Sequence, residues 1–333
     1  MASLPPLVRS LLDTLEEPAL LVDGGRTAAA NRAALSLFGR EIVSRDVRLA
    51  VRQPQALSAI LAGRPADLEV AGLGGLERSW ALQVRPVRDG LLLVRLSDRS
   101  ATRAAEKMRV DFVANASHEL RTPLSTIIGY AETLAEDGDL PEPLRRRFGE
   151  SIHSEARRML RIVSDLMSLS RIEAERFVAP SSRVDLGEVA RVAVGNAEPL
   201  ARTRGCTVEL QVAGPAPVTG DGAQLLQLAD NLLGNAVRYG CSERSSVVTV
   251  DVSVNGREAV LSVRDRGDGI AAKHLPRLTE RFYRVDAARS RDSGGTGLGL
   301  AIVKHIVERH RGRLDLRSKP GEGTEVVVTL PLA

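Results

Sequence analysis

The chain has 333 residues, 43% of them hydrophobic and 26% charged, with a formal net charge of +4. One hydrophobic core rarely supports this length, and the composition is globular, which excludes a disordered chain and a fold that needs disulfide staples. Aromatic residues make up only 3% of the chain and do not interleave with the basic ones. We therefore expect solvated basic helix faces and no direct nucleic-acid contact.

Cysteine content and hydropathy indicate the compartment. Cys206 and Cys241 form no C-x-x-C pair, which predicts two reduced thiols in a cytosolic protein. No apolar stretch approaches the roughly 18 residues that span a bilayer. The first ten residues lack a basic region followed by an apolar one, which argues against a secretory signal. We expect a cytoplasmic protein without a transmembrane segment, and leave peripheral recruitment to the inner membrane open.

Residues 1–98 are predicted to form a small α+β domain. Ala19–Asp23 reads as a strand that ends at the turn Gly24-Gly25, and Asn31 is expected to cap a helix through Phe38. Later strands are predicted at Trp80–Val84 and Leu91–Val94. All five histidines and both cysteines lie beyond this segment. That excludes a histidine-ligated haem and a cysteinyl–flavin adduct.

Residues 99–178 are predicted to form two long helices. Each carries apolar positions that alternate by four and three residues, the repeat of a helix-bundle seam. The first seam runs Val113, Ser117, Leu120, Leu124, Ile127, Ala131, Leu134, and the second runs Phe148, Ile152, Glu155, Met159, Ile162, Leu166, Leu169. A break at 136–143 contains one Gly and two Pro, so the helices form a hairpin. A hairpin buries its seam poorly alone, and a homodimeric four-helix bundle is expected.

Residues 179–333 alternate helical and strand patterns, which predicts an α/β sandwich with helices on one face. The strands Val247–Val254 and Ala259–Val263 meet at Asn255-Gly256, a strong hairpin signal. Glu325–Leu330 is predicted to be a terminal strand.

His118 is the candidate nucleophile. It lies beside the first seam within S-H-E-L-R-T-P-L, residues 117–124. Glu119 could accept the proton of Nδ1–H and leave Nε2 with a free lone pair. Pro123 is expected to bend the helix just beyond.

Three further motifs suit a nucleotide. Asn231 and Asn235 share a helical face, and their carbonyl oxygens suit Mg²⁺ bound with substrate phosphates; Arg238 and Tyr239 follow. Asp265 follows a strand and could accept a hydrogen bond from an amino group, while glycines next to it permit close backbone approach. The run G-G-T-G-L-G-L at 294–300 precedes a helix and offers N–H groups to phosphate. Residues 281–291, a segment with a net positive charge, are predicted to form a lid over the nucleotide.

In this order, the motifs resemble those of the sensor histidine kinases of two-component systems. The resemblance covers residues 105–333: 117–124 looks like the H box, 231–235 the N box, 265–270 the G1 box, 282–284 the F box and 294–300 the G2 box. It implies an ATPase domain of the type shared with Hsp90, gyrase and MutL. Residues 1–98 resemble a PAS sensor domain. The run from Arg281 to Val307 is similar to the phosphate-regulon sensor kinases of the PhoR type.

The resemblance implies roles for individual residues. His118 would accept the phosphoryl group, Glu119 would be its general base, and Thr122 would position water to dephosphorylate a partner. Asn235 and Asn231 would hold Mg²⁺, and Asp265 would bind adenine. The remaining residues implied to contact ATP are Arg238, Tyr239, Gly267, Gly269, Phe282, Tyr283, Arg284, Gly295, Thr296, Gly297, Leu298 and Gly299.

The resemblance also implies partners: a second copy of the chain, and the receiver domain of a PhoB-like response regulator whose aspartate takes the phosphoryl group. A cytosolic or membrane-bound intermediary could deliver the phosphate signal. Three alternatives stay open. They are a PAS-containing histidine kinase with another signal, a kinase-silent phosphatase, and an ATP-driven conformational clamp. A clamp needs no nucleophilic His, and the intact Asn235 and Asp265 argue against the phosphatase.

Overall fold

The computed structural model describes residues 6–73, 78–87, 90–136, 139–175, 178–241, 246–286 and 295–333. The chain divides into two compact units, Met1–Ala114 and Asn115–Ala333. The division falls within a long helix. Parts of the predicted lid and of the glycine-rich run, residues 287–294, lie outside the described residues.

The first unit is built on an antiparallel sheet of order β2-β1-β5-β4-β3. Its elements are α1 (Pro6–Asp13), β1 (Ala19–Asp23), β2 (Arg26–Ala30), α2 (Arg32–Phe38), α3 (Pro54–Leu61), β3 (Ala66–Ala71), β4 (Ser79–Pro86) and β5 (Leu92–Asp98). Leu20, Leu82 and Leu96 are fully buried in its core. The strand Ala19–Asp23 and the helix through Phe38 are confirmed.

Asn31 fixes the start of α2. Its side-chain oxygen accepts hydrogen bonds from the backbone N–H groups of Ala34 at 2.9 Å and Ala19 at 3.0 Å. One side chain thus caps the helix and ties it to β1. Gly24 and Gly25 both have positive φ, as the predicted turn requires.

Two helices follow, α4 (Ser100–Glu136) and α5 (Glu142–Ala174), and the predicted break separates them. Between them, Tyr130 stacks on Phe148 with ring centroids 4.9 Å apart. Ile162 and Leu169, two members of the second seam, are fully buried within the single chain.

A second apolar row on α5 faces outward. Leu160, Val163 and Met167 are 71%, 41% and 70% exposed, and their spacing of three and four places them on one helix face. On α4, Leu124 and Ile128 are also exposed. These five side chains, unlike Ile162 and Leu169, are exposed apolar surface that the hairpin offers to another helix.

The C-terminal sandwich covers residues 182–333. Its main sheet has the order β11-β12-β10-β9-β7, in which β7 runs parallel to β9 and the other pairs are antiparallel; β6 and β8 form a separate pair. The elements are β6 (Ser182–Asp185), α6 (Leu186–Thr203), β7 (Thr207–Val212), β8 (Pro217–Gly220), α7 (Gly222–Asn235), β9 (Val247–Asn255), β10 (Glu258–Asp265), α8 (Gly299–Arg309), β11 (Arg313–Lys319) and β12 (Gly323–Pro331).

Alternation along the strands sets the inner face of this sheet. Val248, Val250 and Val252 of β9 are buried, as are the matching alternate positions of β10. The predicted hairpin at Asn255-Gly256 is confirmed, with Asn255 paired to Glu258 and Gly256 at φ 60°. The terminal strand is confirmed as β12.

The end of α5 docks on the C-terminal sandwich through ion pairs. Arg309 of α8 contacts Glu175 at 3.0 Å, and Arg281 bonds Glu173. Ser168 donates a hydrogen bond to Gln227 of α7 at 2.8 Å. Since α5 is half of the helical hairpin, these contacts fix the sandwich against the helices that carry His118.

The expectation of two reduced thiols is wrong for this structure. Cys206 and Cys241 form a disulfide, with their Cα atoms 6.0 Å apart. The two cysteines lie 35 positions apart, and nothing in the sequence indicated this proximity, because it arises from the return of the chain through β8 and α7. In the described parts of the chain, no helix is long and apolar enough to cross a membrane.

Candidate active site

His118 lies on α4 with its side chain exposed. Exposure suits a nucleophile that must meet a nucleotide and then a second protein. Thr122 lies one turn further on the same face and is also exposed. Its hydroxyl donates to the carbonyl of His118 at 3.3 Å. Pro123 lies inside the helix as predicted.

Glu119 is held by two guanidinium groups. Arg158 of α5 donates to its Oε2 at 3.1 Å, and Arg284 donates to the same oxygen at 2.8 Å and to Oε1 at 3.3 Å. Both arginine side chains are almost fully buried. Arg284 comes from the C-terminal sandwich, so the carboxylate beside His118 is directly bonded to that layer.

A cavity of about 330 Å³ opens next to this contact. It gathers most of the residues that the sequence indicated for the nucleotide. Of the predicted set, the lining residues are Asn231, Asn235, Arg238, Tyr239, Asp265, Gly269, Tyr283, Arg284, Gly295, Thr296, Gly297 and Gly299. Gly267, Phe282 and Leu298 do not line it, and each supports a residue that does.

The end of α7 forms one wall. Asn235 is the last residue of the helix, and Ala236–Gly240 continue it as a π-helical turn that places Arg238 and Tyr239 along the cavity. The amide nitrogen of Asn231 donates to the Gln227 carbonyl at 2.9 Å, which fixes its rotamer. Its oxygen then faces the glycine-rich run, 2.8 Å from where a Cβ on Gly299 would lie.

This arrangement fits a magnesium ion bound together with phosphates. An amide oxygen that faces a glycine run expected to meet phosphate is a suitable ligand for a hard cation, and Mg²⁺ usually needs few protein ligands beside substrate phosphates. Asn231 and Asn235 are the residues that would hold it.

Asp265 ends β10 and is nearly buried. Burial raises the pKa of Asp265, and hydrogen bonds from the N–H groups of Gly267 and Thr324 to its carboxylate oppose that rise. Both bonds go to Oδ1, at 2.9 and 3.2 Å. A buried carboxylate anchored through one oxygen suits recognition of an amino group.

Close packing explains why small residues surround Asp265. A Cβ on Gly240 would lie 2.2 Å from the Cβ of Asp265, and one on Gly267 would lie 2.6 Å from the carbonyl oxygen of Tyr239. Gly269, at φ 66°, would meet the backbone of Lys319 at 1.9 Å. Any side chain at these three positions would therefore displace the cavity wall.

The F-box and glycine-rich segments hold each other. Phe282, with φ 63°, donates its N–H to the carbonyl of Gly297 at 2.8 Å. Arg284 donates to the carbonyl of Thr296 at 2.8 Å. Leu298 is fully buried just before α8. Phe282 and Leu298 thus position the loop and leave the cavity surface to their neighbours.

Two cavity residues come from α5 and were not predicted from the sequence. Arg161 and Asp165 lie one turn apart and line the cavity. The Thr296 hydroxyl donates to Asp165 at 2.7 Å. The sequence offered only a weak signal, two charged residues on a helix already assigned to bundle packing.

Comparison with known proteins agrees with these observations. Residues 108–175 match the model of the His Kinase A (phospho-acceptor) domain, and residues 220–333 match that of the histidine kinase-, DNA gyrase B- and HSP90-like ATPases. The phosphate regulon sensor protein PhoR of Pseudomonas aeruginosa is 41% identical over 71% of this chain and 53% of its own length.

Two further proteins extend the comparison. The sensor-like histidine kinase SenX3 of Mycolicibacterium smegmatis is 36% identical over 80% of this chain and 69% of its own length. A solved complex of the histidine kinase ThkA with the response regulator TrrA has the same fold, with a TM-score of 0.50 and 19% identity, over 97% of this chain and 98% of that one. This chain thus spans about half of PhoR and about two thirds of SenX3. It belongs to the sensor histidine kinase family, within which it is similar to the PhoR-type phosphate sensors.

Proposed function

We propose that the chain binds ATP with Mg²⁺, transfers the γ-phosphoryl group to His118, and passes it to an aspartate of a response regulator. One observation carries the proposal: Arg284 lines the cavity and also bonds Glu119, the neighbour of His118. A nucleotide site and a nucleophilic histidine are thereby joined through one side chain.

In the proposed reaction, the Nε2 lone pair of His118 attacks the γ-phosphorus. The N–P bond forms as the bond to the β,γ-bridging oxygen breaks, and ADP leaves with that electron pair. Glu119 would take the proton that Nδ1 sheds, a role worth roughly 10²–10⁴-fold in rate. Mg²⁺, when bound, neutralises phosphate charge.

The cavity residues would orient the nucleotide. Asp265 would accept a hydrogen bond from the adenine amino group. Arg238, Tyr239 and Arg284 would contact phosphate or ribose, and the N–H groups at 295–299 would meet phosphate oxygens at the start of α8. Positioning and electrostatics dominate catalysis of phosphoryl transfer, which suits a site built from cations and backbone N–H groups.

Beyond the chemistry, we infer a homodimer, a PhoB-like regulator and a role in phosphate-starvation signalling. The exposed apolar row on the hairpin supports the homodimer, and the similarity to PhoR supports the signal. The sheet order of residues 1–98 supports a PAS-like sensor, since all five strands form one antiparallel sheet flanked by helices. A PAS-containing kinase with a different signal is the alternative reading.

Labelling with γ-labelled ATP tests the proposal. We expect an acid-labile, alkali-stable label on the wild-type chain, as in a phosphoramidate, and none on His118→Gln. His153→Gln is the matched control, because His153 is another exposed histidine on the same hairpin and does not line the cavity. Label on His118→Gln would contradict the assignment, and phosphate release without a labelled chain would favour an ATP-driven clamp.

A further inference from the structure

Asp165 has no role in the reaction as described above, yet it lies in the cavity. It belongs to α5, one turn after Arg161, and its Oδ2 accepts the hydrogen bond of the Thr296 hydroxyl at 2.7 Å. Bonds from a hydroxyl to a carboxylate are among the stronger ones in proteins. Asp165 therefore ties the glycine-rich run to the hairpin.

Thr296 makes two further hydrogen bonds within the sandwich. Its hydroxyl oxygen also accepts the N–H of Leu298 at 3.2 Å, and its carbonyl accepts Nη2 of Arg284 at 2.8 Å. The residue is buried, so little water competes for these bonds. Thr296 thus links Asp165 to Arg284.

Arg284 completes the connection to the phosphoacceptor helix. The same Nη2 donates to Glu119 at 2.8 Å, next in sequence to His118. A continuous hydrogen-bond network thus runs from Asp165 on α5, through Thr296 of the glycine-rich run and Arg284, to Glu119 on α4.

The surroundings of Asp165 favour a specific contact. Burial raises the pKa of Asp165, while the Thr296 hydrogen bond and the charges of Arg238 and Arg161 oppose that rise. A half-buried carboxylate is costly unless its partners compensate, and Thr296 is the partner that supplies the hydrogen bond.

Several other contacts also hold the sandwich against α5. These contacts, at Glu173, Glu175 and Ser168, lie further along α5. The hairpin seam is likewise filled by Ile162 and Leu169. Loss of the Asp165 carboxylate should therefore leave the docking intact and release only the glycine-rich run and, through it, Arg284.

We propose that Asp165 is a positioning residue for the transfer to His118. It holds Thr296, and through Thr296 also Arg284 and Glu119, in the correct position relative to the nucleotide. The inference rests on the proposed kinase function and adds to it a hairpin residue that acts through the glycine-rich run.

The test is the rate of His118 labelling by the full-length chain across a range of ATP concentrations. For Asp165→Ala we expect labelling at saturating ATP to slow about tenfold, the effect of one lost charge-assisted hydrogen bond, with the apparent KM for ATP changed less than about twofold. Asp165→Asn keeps an acceptor oxygen and should recover most of the rate. Asp230→Ala is the matched control, since Asp230 is a half-buried carboxylate, bonded to Asn196, that does not line the cavity.

A double-mutant cycle checks the partner. Thr296→Val removes the hydroxyl and Thr296→Ser keeps it. We expect Thr296→Val to slow labelling, Thr296→Ser to slow it less than Thr296→Val because it keeps the hydroxyl, and Asp165→Ala to add little on top of Thr296→Val. An unchanged rate for Asp165→Ala, an equal loss of ATP binding, or losses that multiply would each overturn the inference. A wild-type chain that takes no label would instead refute the proposed function.

Discussion

At the scale of single residues, Asp265 combines a cost in stability with a gain in recognition. Its pKa is raised by burial. Protonation of Asp265 therefore favours the folded state. This stabilisation is fully present below the unfolded-state pKa of about 4 and is lost as the pH rises through the higher folded-state pKa. At neutral pH the buried charge destabilises the empty protein, and the same charge is what would attract the adenine amino group.

Asp265→Asn should accordingly separate stability from binding. We expect a higher Tm than wild type at pH 7, and a difference that shrinks towards pH 4. ATP affinity should fall roughly 10–150-fold, because the new amide nitrogen cannot accept the adenine hydrogen bond. Thermal scans at several pH values and ATP titration measure the two effects. Asp230→Asn is the control, because burial also raises the pKa of Asp230: this variant should have a higher Tm and unchanged ATP affinity. Unchanged ATP binding by Asp265→Asn would contradict the role of Asp265 in adenine recognition.

Thr122 offers a second test at this scale. Its exposed hydroxyl lies one turn from His118 and could orient a water towards a phospho-aspartate. Thr122→Ala should keep labelling of His118 and lose most dephosphorylation of a phosphorylated regulator. The control is Thr133→Ala, which removes a similar exposed hydroxyl bonded within the same helix, to Gly129. Equal loss of both activities in Thr122→Ala would argue against a selective role.

At the scale of elements, the hairpin shows two apolar surfaces of different kinds. Ile162 is buried within one chain, so a charge there would damage the fold of the monomer itself. The exposed row with Leu160, Val163 and Met167 remains for a partner. This distinction decides which substitutions test the homodimer.

We therefore expect the double substitution Leu124→Asp and Met167→Asp to yield a folded monomer. Two buried charges would make the bundle interface unfavourable while leaving the buried Ile162 and Leu169 unchanged. Light scattering gives the mass, and circular dichroism checks that the helices persist. Ser154→Asp, an exposed polar position on α5, should remain dimeric. A monomeric wild-type chain would refute the bundle.

Local elements could be predicted from the sequence because their causes are local. Asn31 caps a helix that starts at the next residue, and Asn255-Gly256 turns a hairpin between adjacent strands. The cavity set could be predicted because its motifs resemble those of a known family. The contact between Asp165 and Thr296 could not, since they lie 131 positions apart in the sequence and neither residue type predicts the presence of the other. The Cys206–Cys241 bond stayed hidden for the same reason.

At the scale of the whole molecule, the proposed kinase site lies within the unit Asn115–Ala333. Glu119, the cavity and all the residues of the hydrogen-bond network described above belong to that unit. The first unit has its own buried core. We infer that residues 1–98 receive the signal and take no part in phosphoryl transfer.

Removal of residues 1–98 should leave labelling of His118 intact and uncouple a phosphate-responsive reporter from phosphate supply. A full-length chain with His118→Gln provides the comparison, because it should lose both labelling and reporter response. Normal phosphate regulation by the shortened chain would exclude this segment as the input. An unchanged phosphate response in a strain without the gene would exclude phosphate signalling and leave the kinase proposal in place.

The disulfide between Cys206 and Cys241 closes a covalent ring of backbone that includes the whole of α7 and the turn that follows it. The ring includes four of the residues assigned to the nucleotide: Asn231, Asn235, Arg238 and Tyr239. Oxidised and reduced chains are consequently two chemical species, which differ in mass by two hydrogens. A nucleotide affinity measured on the reduced chain therefore describes the open species, and one measured on the oxidised chain describes the ring.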